Sequence, residues 1–256
     1  MSTTRRPLIA GNWKMNGLAS DAARWARAAV AAAADAQSEV ALIPPYPYLP
    51  AVGELVSAPD GLVGLGAQAA SQEPYGAFTG QVSAEMLQDV GCRYVLAGHS
   101  ERRHGLGETD DVVVGQMQQI IEARMTPILC VGELLEQRQA MQARNVVLRQ
   151  VDAALDGLPK PNAPLVIAYE PVWAIGTGLS ASPEQVAEVH GWIRHQLRRR
   201  LPDRAEGLRI LYGGSVKPGN IGGLLAVEDV DGALVGGASL DPDAFAALIT
   251  ATPESD

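Results

Sequence analysis

The chain has 256 residues, a net charge of −9 and an isoelectric point near 5.0, with 47% hydrophobic and 19% charged residues. This composition excludes a disordered chain, two cysteines are too few for a disulfide scaffold, and no apolar run approaches the ~18 residues that a membrane-spanning helix needs. The acidic balance argues against a nucleic-acid partner and leaves room for an anionic small molecule in a local cleft. We therefore expect a cytoplasmic protein without a signal peptide and with no nucleic-acid or membrane partner.

Short apolar runs rich in Val, Ile and Leu recur along the chain and alternate with stretches of helical spacing. Each run is nearly continuous, which is typical of a strand buried on both faces. The predicted strands are Leu8–Ala10, Val40–Ile43, Leu62–Leu65, Tyr94–Ala97, Ile128–Val131, Leu165–Ala168, Ile210–Tyr212 and Ala233–Val235. The clearest helices are Ala22–Ala33, Val112–Arg124, Arg144–Leu155 and Pro183–Arg200. Ser83, Thr109 and Ser182 are the residue types that begin helices.

Eight strands alternating with helices, without a linker in the middle, favour a closed (β/α)8 barrel formed by one domain over residues 1–256. A doubly wound sheet is the alternative. That fold usually carries a glycine-rich dinucleotide fingerprint after its first strand, and the sequence GNWKMNG there does not match it.

Chemistry in such barrels collects at the carboxyl ends of the strands. Strands 7 and 8 are followed by Gly213-Gly214-Ser215 and by Gly236-Gly237. Glycines let backbone N–H groups approach a ligand closely, and two such turns at adjacent strands indicate a phosphate site. A single Gly-Gly pair would instead be interpreted as a tight turn.

Three further strand ends carry Lys14, His99 and Glu170. Taken alone, each has a structural interpretation: a surface lysine, a hydrogen-bonded histidine and a buried salt bridge. Together, beside a phosphate cradle, they predict proton abstraction next to a carbonyl, with the pKa of Glu170 raised by its apolar strand. A Schiff-base aldolase with Lys14 as nucleophile is the chemical rival.

The remaining histidines, His104, His190 and His195, show no metal-ligand spacing and are expected on loops or helix surfaces, so no metal is predicted. Cys130 lies in an apolar strand and is expected to pack as a small hydrophobe. The run Arg198–Arg200 is expected to be a solvated helix end. The apolar, glycine-containing segment Pro171–Gly178 is expected to close over the site as a lid.

Seven segments carry a closer likeness. They are AGNWKMN, FTGQVSAEML, GHSERR, ILCVGE, AYEPVWAIGTG, LYGGSVKP and DGALVGGASL. In this order, from Leu8 to about Leu240, the chain resembles the triosephosphate isomerase family. The resemblance implies a TIM barrel that interconverts glyceraldehyde 3-phosphate and dihydroxyacetone phosphate without a cofactor.

The resemblance also implies a role for each matching residue. Glu170 is similar to the family's base, His99 to its neutral electrophile, Lys14 to its cation, and Asn12 to a residue that hydrogen-bonds the substrate. Ser100 and Glu101 support these groups. Backbone N–H groups of four residues would bind phosphate, namely Gly176, Ser215, Gly236 and Gly237.

The family is usually a homodimer whose loop after strand 3 enters the partner. Here that loop is Gln68–Gly80, with Thr79 as the expected contact near the neighbouring site. The chain departs from the usual pattern at Gln81, Leu134 and the lid hinge Leu179-Ser180-Ala181. These departures put dimer strength and hinge kinetics in question. An isomerase for a four-carbon ketose phosphate and a non-catalytic barrel that binds a phosphorylated ligand stay open as alternatives.

Overall fold

The computed structural model describes residues 5–56, 61–176 and 179–252. Its eight strands are all parallel and form one closed barrel in chain order. They are β1 Leu8–Asn12, β2 Glu39–Ile43, β3 Val63–Ala67, β4 Cys92–Ala97, β5 Thr126–Val131, β6 Val166–Tyr169, β7 Arg209–Tyr212 and β8 Gly232–Val235. Because β1 pairs with both β2 and β8, the sheet has no edge, and the predicted barrel is confirmed over the doubly wound alternative.

Helices pack around the outside of this barrel. They are α1 Ala19–Ala33, α2 Leu49–Val56, α3 Ala84–Asp89, α4 Ser100–Gly105, α5 Asp110–Glu122, α6 Leu135–Gln139, α7 Ala143–Asp156, α8 Pro183–Arg200, α9 Ile221–Ala226 and α10 Pro242–Ile249. The three predicted helix starts are confirmed, since the hydroxyls of Ser83, Thr109 and Ser182 each accept a hydrogen bond from a backbone N–H of the first turn.

The predicted strands are correct in number and place, and several end later than predicted. β1 runs on to Asn12 and β6 to Tyr169, so Asn12 closes one strand and Glu170 directly follows another. Almost every strand residue is buried, because side chains face alternately into the barrel and toward the helices. This explains why the apolar runs are continuous. Cys130 is fully buried in the barrel interior, as predicted.

His190 does not lie on a loop or a helix surface, so that prediction is wrong for this residue. It lies on α8 and is 0% exposed, whereas His104 and His195 are exposed. The apolar side of α8 includes Val186, Val189, Ile193 and Leu197, and position 190 falls on that side of the helix, toward the barrel.

The basic end of α8 is solvated, as predicted. Arg198 pairs with Glu206, and Arg200 pairs with two carboxylates of α7, Asp152 and Asp156. Across the described ranges, no helix combines the length and the hydropathy that crossing a membrane requires.

Candidate active site

A cavity of about 520 Å³ opens at the carboxyl ends of the strands. Eight of the predicted site residues line it, namely Asn12, Lys14, His99, Glu170, Gly176, Ser215, Gly236 and Gly237. The three residues predicted to support the site do not line the cavity. Ser100 instead contacts Glu170, Glu101 contacts Lys14, and Thr79 is exposed on its loop.

Glu170 is positioned by the end of β6. Its backbone N–H donates to the carbonyl of Val131 on β5 at 2.7 Å, and the residue is only 2% exposed. Two glycines let the chain pass this closely. A Cβ on Gly132 would stand 1.7 Å from the Glu170 carbonyl oxygen, and a Cβ on Gly213 would stand 2.9 Å from its Cγ. The position of the carboxylate therefore depends on the absence of a side chain at the residues that follow the two neighbouring strands.

The Glu170 carboxylate turns toward the end of β4. Its Oε2 accepts a hydrogen bond from the Ser100 N–H at 2.9 Å, and its Oε1 lies 3.0 Å from His99 Nε2. Ser100 Oγ is a further donor to Oε1, at 3.3 Å. In this arrangement the carboxylate is held by the protein.

The prediction of a raised pKa for Glu170 is wrong in this arrangement. Burial does raise the pKa of the carboxyl, but the charge and hydrogen bond of His99, together with the Ser100 N–H, bring it below its usual value. The sequence indicated the apolar strand that desolvates Glu170. It did not indicate that donors from His99 and Ser100, which follow β4, would face the carboxylate.

His99 directly precedes α4, and both nitrogens of its ring have a hydrogen-bond partner. Nδ1 accepts a hydrogen bond from the Glu101 N–H at 3.3 Å, so the neutral ring carries its proton on Nε2, which faces Glu170. Burial lowers the pKa of His99, whereas the Glu170 carboxylate raises it, and the net direction with Glu170 in contact is upward.

Lys14 is held in an unusual backbone conformation, with φ 51°, in the left-handed region. The Asn12 side chain accepts its N–H at 3.0 Å, and Gln68 donates to its carbonyl at 2.7 Å. Its ammonium forms an ion pair with Glu101. That pairing suits a residue acting as a cation better than the nucleophile of a Schiff-base aldolase.

The glycine turns after β7 and β8 also line the cavity. A Cβ on Gly236 would stand 3.3 Å from Lys14 Cε, so the lysine side chain packs directly on this turn. Within the described ranges, the backbone N–H groups of Ser215, Gly236 and Gly237 donate to no acceptor. Three residues with free backbone donors and the Lys14 side chain thus line the same cavity, which suits a phosphate group.

The first part of the predicted lid is packed onto the barrel. Trp173 is half-buried, and its Nε1 donates to Glu133 at 2.9 Å. Glu133 is fully buried and also bonds the Tyr169 hydroxyl and Arg138, each at 3.1 Å. Ile175 and Gly176 line the cavity, while Thr177 and Gly178 of the lid lie outside the described residues.

Sequence reasoning did not assign Gln68, Glu133, Lys217 or Asp241, which hold the site's elements or line the cavity. Only Lys217 carried a signal, because the chain has three lysines against 17 arginines. Within the described ranges, no group of three or more His, Cys, Asp or Glu side chains could hold a metal ion.

The fold and this site are those of a (β/α)8-barrel enzyme. A buried carboxylate, a histidine and a lysine share one cavity with residues whose backbone N–H groups are free. The triosephosphate isomerase family model matches residues 7–252. The chain is 50% identical to the triosephosphate isomerase of Halorhodospira halophila over 252 residues, covering 98% of this chain and 99% of that protein. It is 49% identical to the enzyme of Thermus thermophilus over 248 residues, covering 96% and 98%. The chain belongs to the triosephosphate isomerase family.

Proposed function

We propose that this chain interconverts D-glyceraldehyde 3-phosphate and dihydroxyacetone phosphate through an enediolate intermediate. The observation that carries the proposal is the convergence of Glu170, His99 and Lys14 on one cavity. The free backbone N–H groups of Ser215 and Gly236 belong to residues that line the same cavity. A carboxylate base next to oxygen-stabilising donors is the requirement for removing a proton beside a carbonyl.

In the proposed reaction Glu170 removes a proton from one of the two reacting carbons and returns it to the other, while the hydroxyl proton moves to the former carbonyl oxygen. His99 Nε2–H and the Lys14 ammonium stabilise the charge on the enediolate oxygens, and Asn12 adds a hydrogen bond. To reach substrate, Glu170 has to leave Ser100 and His99. Its departure removes the largest contribution that raises the pKa of His99. Burial then favours the neutral ring, while the charges of Glu101 and Lys14 act on the pKa in opposite directions.

A coupled assay tests this proposal against its alternatives. The purified chain should convert glyceraldehyde 3-phosphate with a higher kcat/KM than four-carbon erythrulose phosphates. Faster turnover of the four-carbon substrate would favour an isomerase of that class, and phosphate binding without turnover would favour a non-catalytic barrel. Borohydride added with substrate should trap no covalent adduct, since an adduct would indicate a Schiff base at Lys14.

The segment Pro171–Gly178 is proposed as a lid that holds the substrate phosphate through the Gly176 N–H. Without it, the enediolate can expel phosphate and form methylglyoxal. Deleting residues 175–178 should therefore slow isomerisation and raise the phosphate released per isomerisation event. An unchanged ratio at equal folded-protein concentration would show that this segment only packs against the barrel.

The chain is further proposed to form a homodimer. Tyr75 is 82% and Phe78 43% exposed on the loop Gln68–Gly80, which makes them candidates for burial in a partner. Thr79 would then lie near the partner's Asn12–Lys14 turn. Sedimentation at assay concentration should give about twice the mass of one chain, and a fully active monomer would contradict the proposal.

Two lesser proposals concern organisation and location. Residues 1–256 are proposed to form one domain, because all eight strands belong to one barrel. A cytoplasmic location is proposed because both cysteines are free thiols buried in the fold. Limited proteolysis and cell fractionation test them.

A further inference from the structure

Two of the chain's three lysines line the same cavity. The protein has 20 basic residues, of which only Lys14, Lys160 and Lys217 are lysines. Lys14 and Lys217 both border the cavity, and Lys160 does not. Lys217 was not among the residues predicted for the site.

The backbone of Lys217 is fixed relative to the turn after β7. Its N–H donates to Asn220 Oδ1 at 2.8 Å, and its carbonyl accepts the Asn220 N–H at 3.0 Å. The same Asn220 donates through Nδ2 to the Ser215 carbonyl at 3.0 Å. One asparagine therefore ties Lys217 to the turn that carries the proposed phosphate donor Ser215, and the exposed lysine side chain projects from that turn.

The other charges of the cavity are already engaged. Lys14 pairs with Glu101, and Glu170 pairs with His99. Asp241 accepts two backbone N–H groups at the start of α10, each at 3.0 Å. By contrast, the ammonium of Lys217 has no carboxylate within ion-pairing distance in the part of the chain that the structure describes.

An uncompensated cation matters in this protein because its net charge of −9 repels an anionic ligand. We propose that Lys217 captures the phosphate of the substrate at the mouth of the cavity and directs it to the Ser215 and Gly236 donors. Lys217 acts on binding and association, and the proton transfer at Glu170 proceeds without it. This inference rests on the proposed function, because it takes a phosphorylated substrate as the ligand.

The test compares Lys217→Ala, Lys217→Glu and Lys217→Arg with the matched control Lys160→Ala. At about 10 mM salt, Lys217→Ala should lower kcat/KM by about 3- to 10-fold, mainly through KM, and the loss should shrink at about 300 mM salt as the charge is screened. Lys217→Glu should lose more and Lys217→Arg should recover most of the loss, since only the charge is required. Lys160→Ala should match the wild type at both salt concentrations.

A second arm measures the dissociation constant of inorganic phosphate for the same variants by isothermal titration calorimetry, which needs no turnover. Binding should weaken in Lys217→Ala and Lys217→Glu and not in Lys160→Ala. If phosphate binding differs among the variants in this way but the wild type does not isomerise glyceraldehyde 3-phosphate, the proposed function is contradicted and the capture role of Lys217 is supported. The capture role is overturned if Lys217→Ala matches Lys160→Ala in both arms, or if its kcat falls as much as its kcat/KM at every salt concentration.

Discussion

The buried histidine on α8 makes the stability of the protein sensitive to mild acid. His190 is fully buried, its Nδ1 contacts the Asp229 carbonyl at 2.9 Å, and Nε2 has no partner among the described residues. Burial lowers the pKa of His190 from 6.5 to about 4, a shift opposed by Asp229 and assisted by Arg194. Between pH 6.5 and about pH 4, His190 is protonated in the unfolded chain and neutral in the folded chain.

Stability must therefore fall as pH is lowered through this window. One pKa unit corresponds to about 1.4 kcal/mol, so the shift is worth about 3 kcal/mol in total, of which about 2 kcal/mol is lost by pH 5. Urea unfolding at fixed protein concentration, at about pH 7.5 and about pH 5, should reveal this loss in the wild type.

His190→Asn and His195→Asn form the matched pair, because His195 lies exposed on the same helix. The unfolding free energy of wild type and His195→Asn should drop by about 2 kcal/mol more between the two pH values than that of His190→Asn. Equal pH dependence in all three proteins would show that His190 does not cause the loss of stability in acid, whatever the absolute cost of removing the buried ring.

Two further substitutions separate catalysis from stability. Gly132→Ala forces a Cβ to within 1.7 Å of the Glu170 carbonyl oxygen and should lower kcat by about 10- to 100-fold in folded protein. In the control Gly191→Ala the added Cβ lies within 4 Å of no other segment, so kcat should be unchanged. Equal kcat values in the two variants would contradict the close approach of Gly132 and Glu170. Arg194→Met removes a fully buried guanidinium that donates a hydrogen bond to Asp229 at 2.7 Å. It should lower the free energy of unfolding by about 3–5 kcal/mol and leave the kcat of the folded fraction unchanged. A change below about 1 kcal/mol in urea unfolding would rule this out.

The sequence predicted the barrel and most of the cavity because both depend on local patterns. Continuous apolar runs mark strands buried on both faces, and a closed parallel barrel brings all their carboxyl ends to one rim. The sequence alone therefore places Asn12, His99 and Glu170 at one rim of the barrel. The motifs shared with the family added the roles that spacing alone left open.

The features that could not be predicted depend on contacts between distant segments. The direction of the pKa shift of Glu170 depends on which way its carboxylate turns, and the contact with Ser100 spans 70 positions of sequence. The left-handed conformation of Lys14 is fixed by Gln68, 54 positions away. The burial of His190 depends on which side of the largely polar helix α8 faces the barrel, and the sequence of the helix alone does not show this.

Glu170 is proposed to move the proton, and the substitution Glu170→Gln tests this role. Gln keeps the shape of the side chain and loses the basic carboxylate. With turnover shown to be limited by chemistry, kcat should fall by at least about 10²- to 10⁴-fold, together with the incorporation of solvent deuterium into the product, at an unchanged unfolding midpoint. A variant that keeps more than about a tenth of the wild-type kcat and still incorporates deuterium would contradict the account.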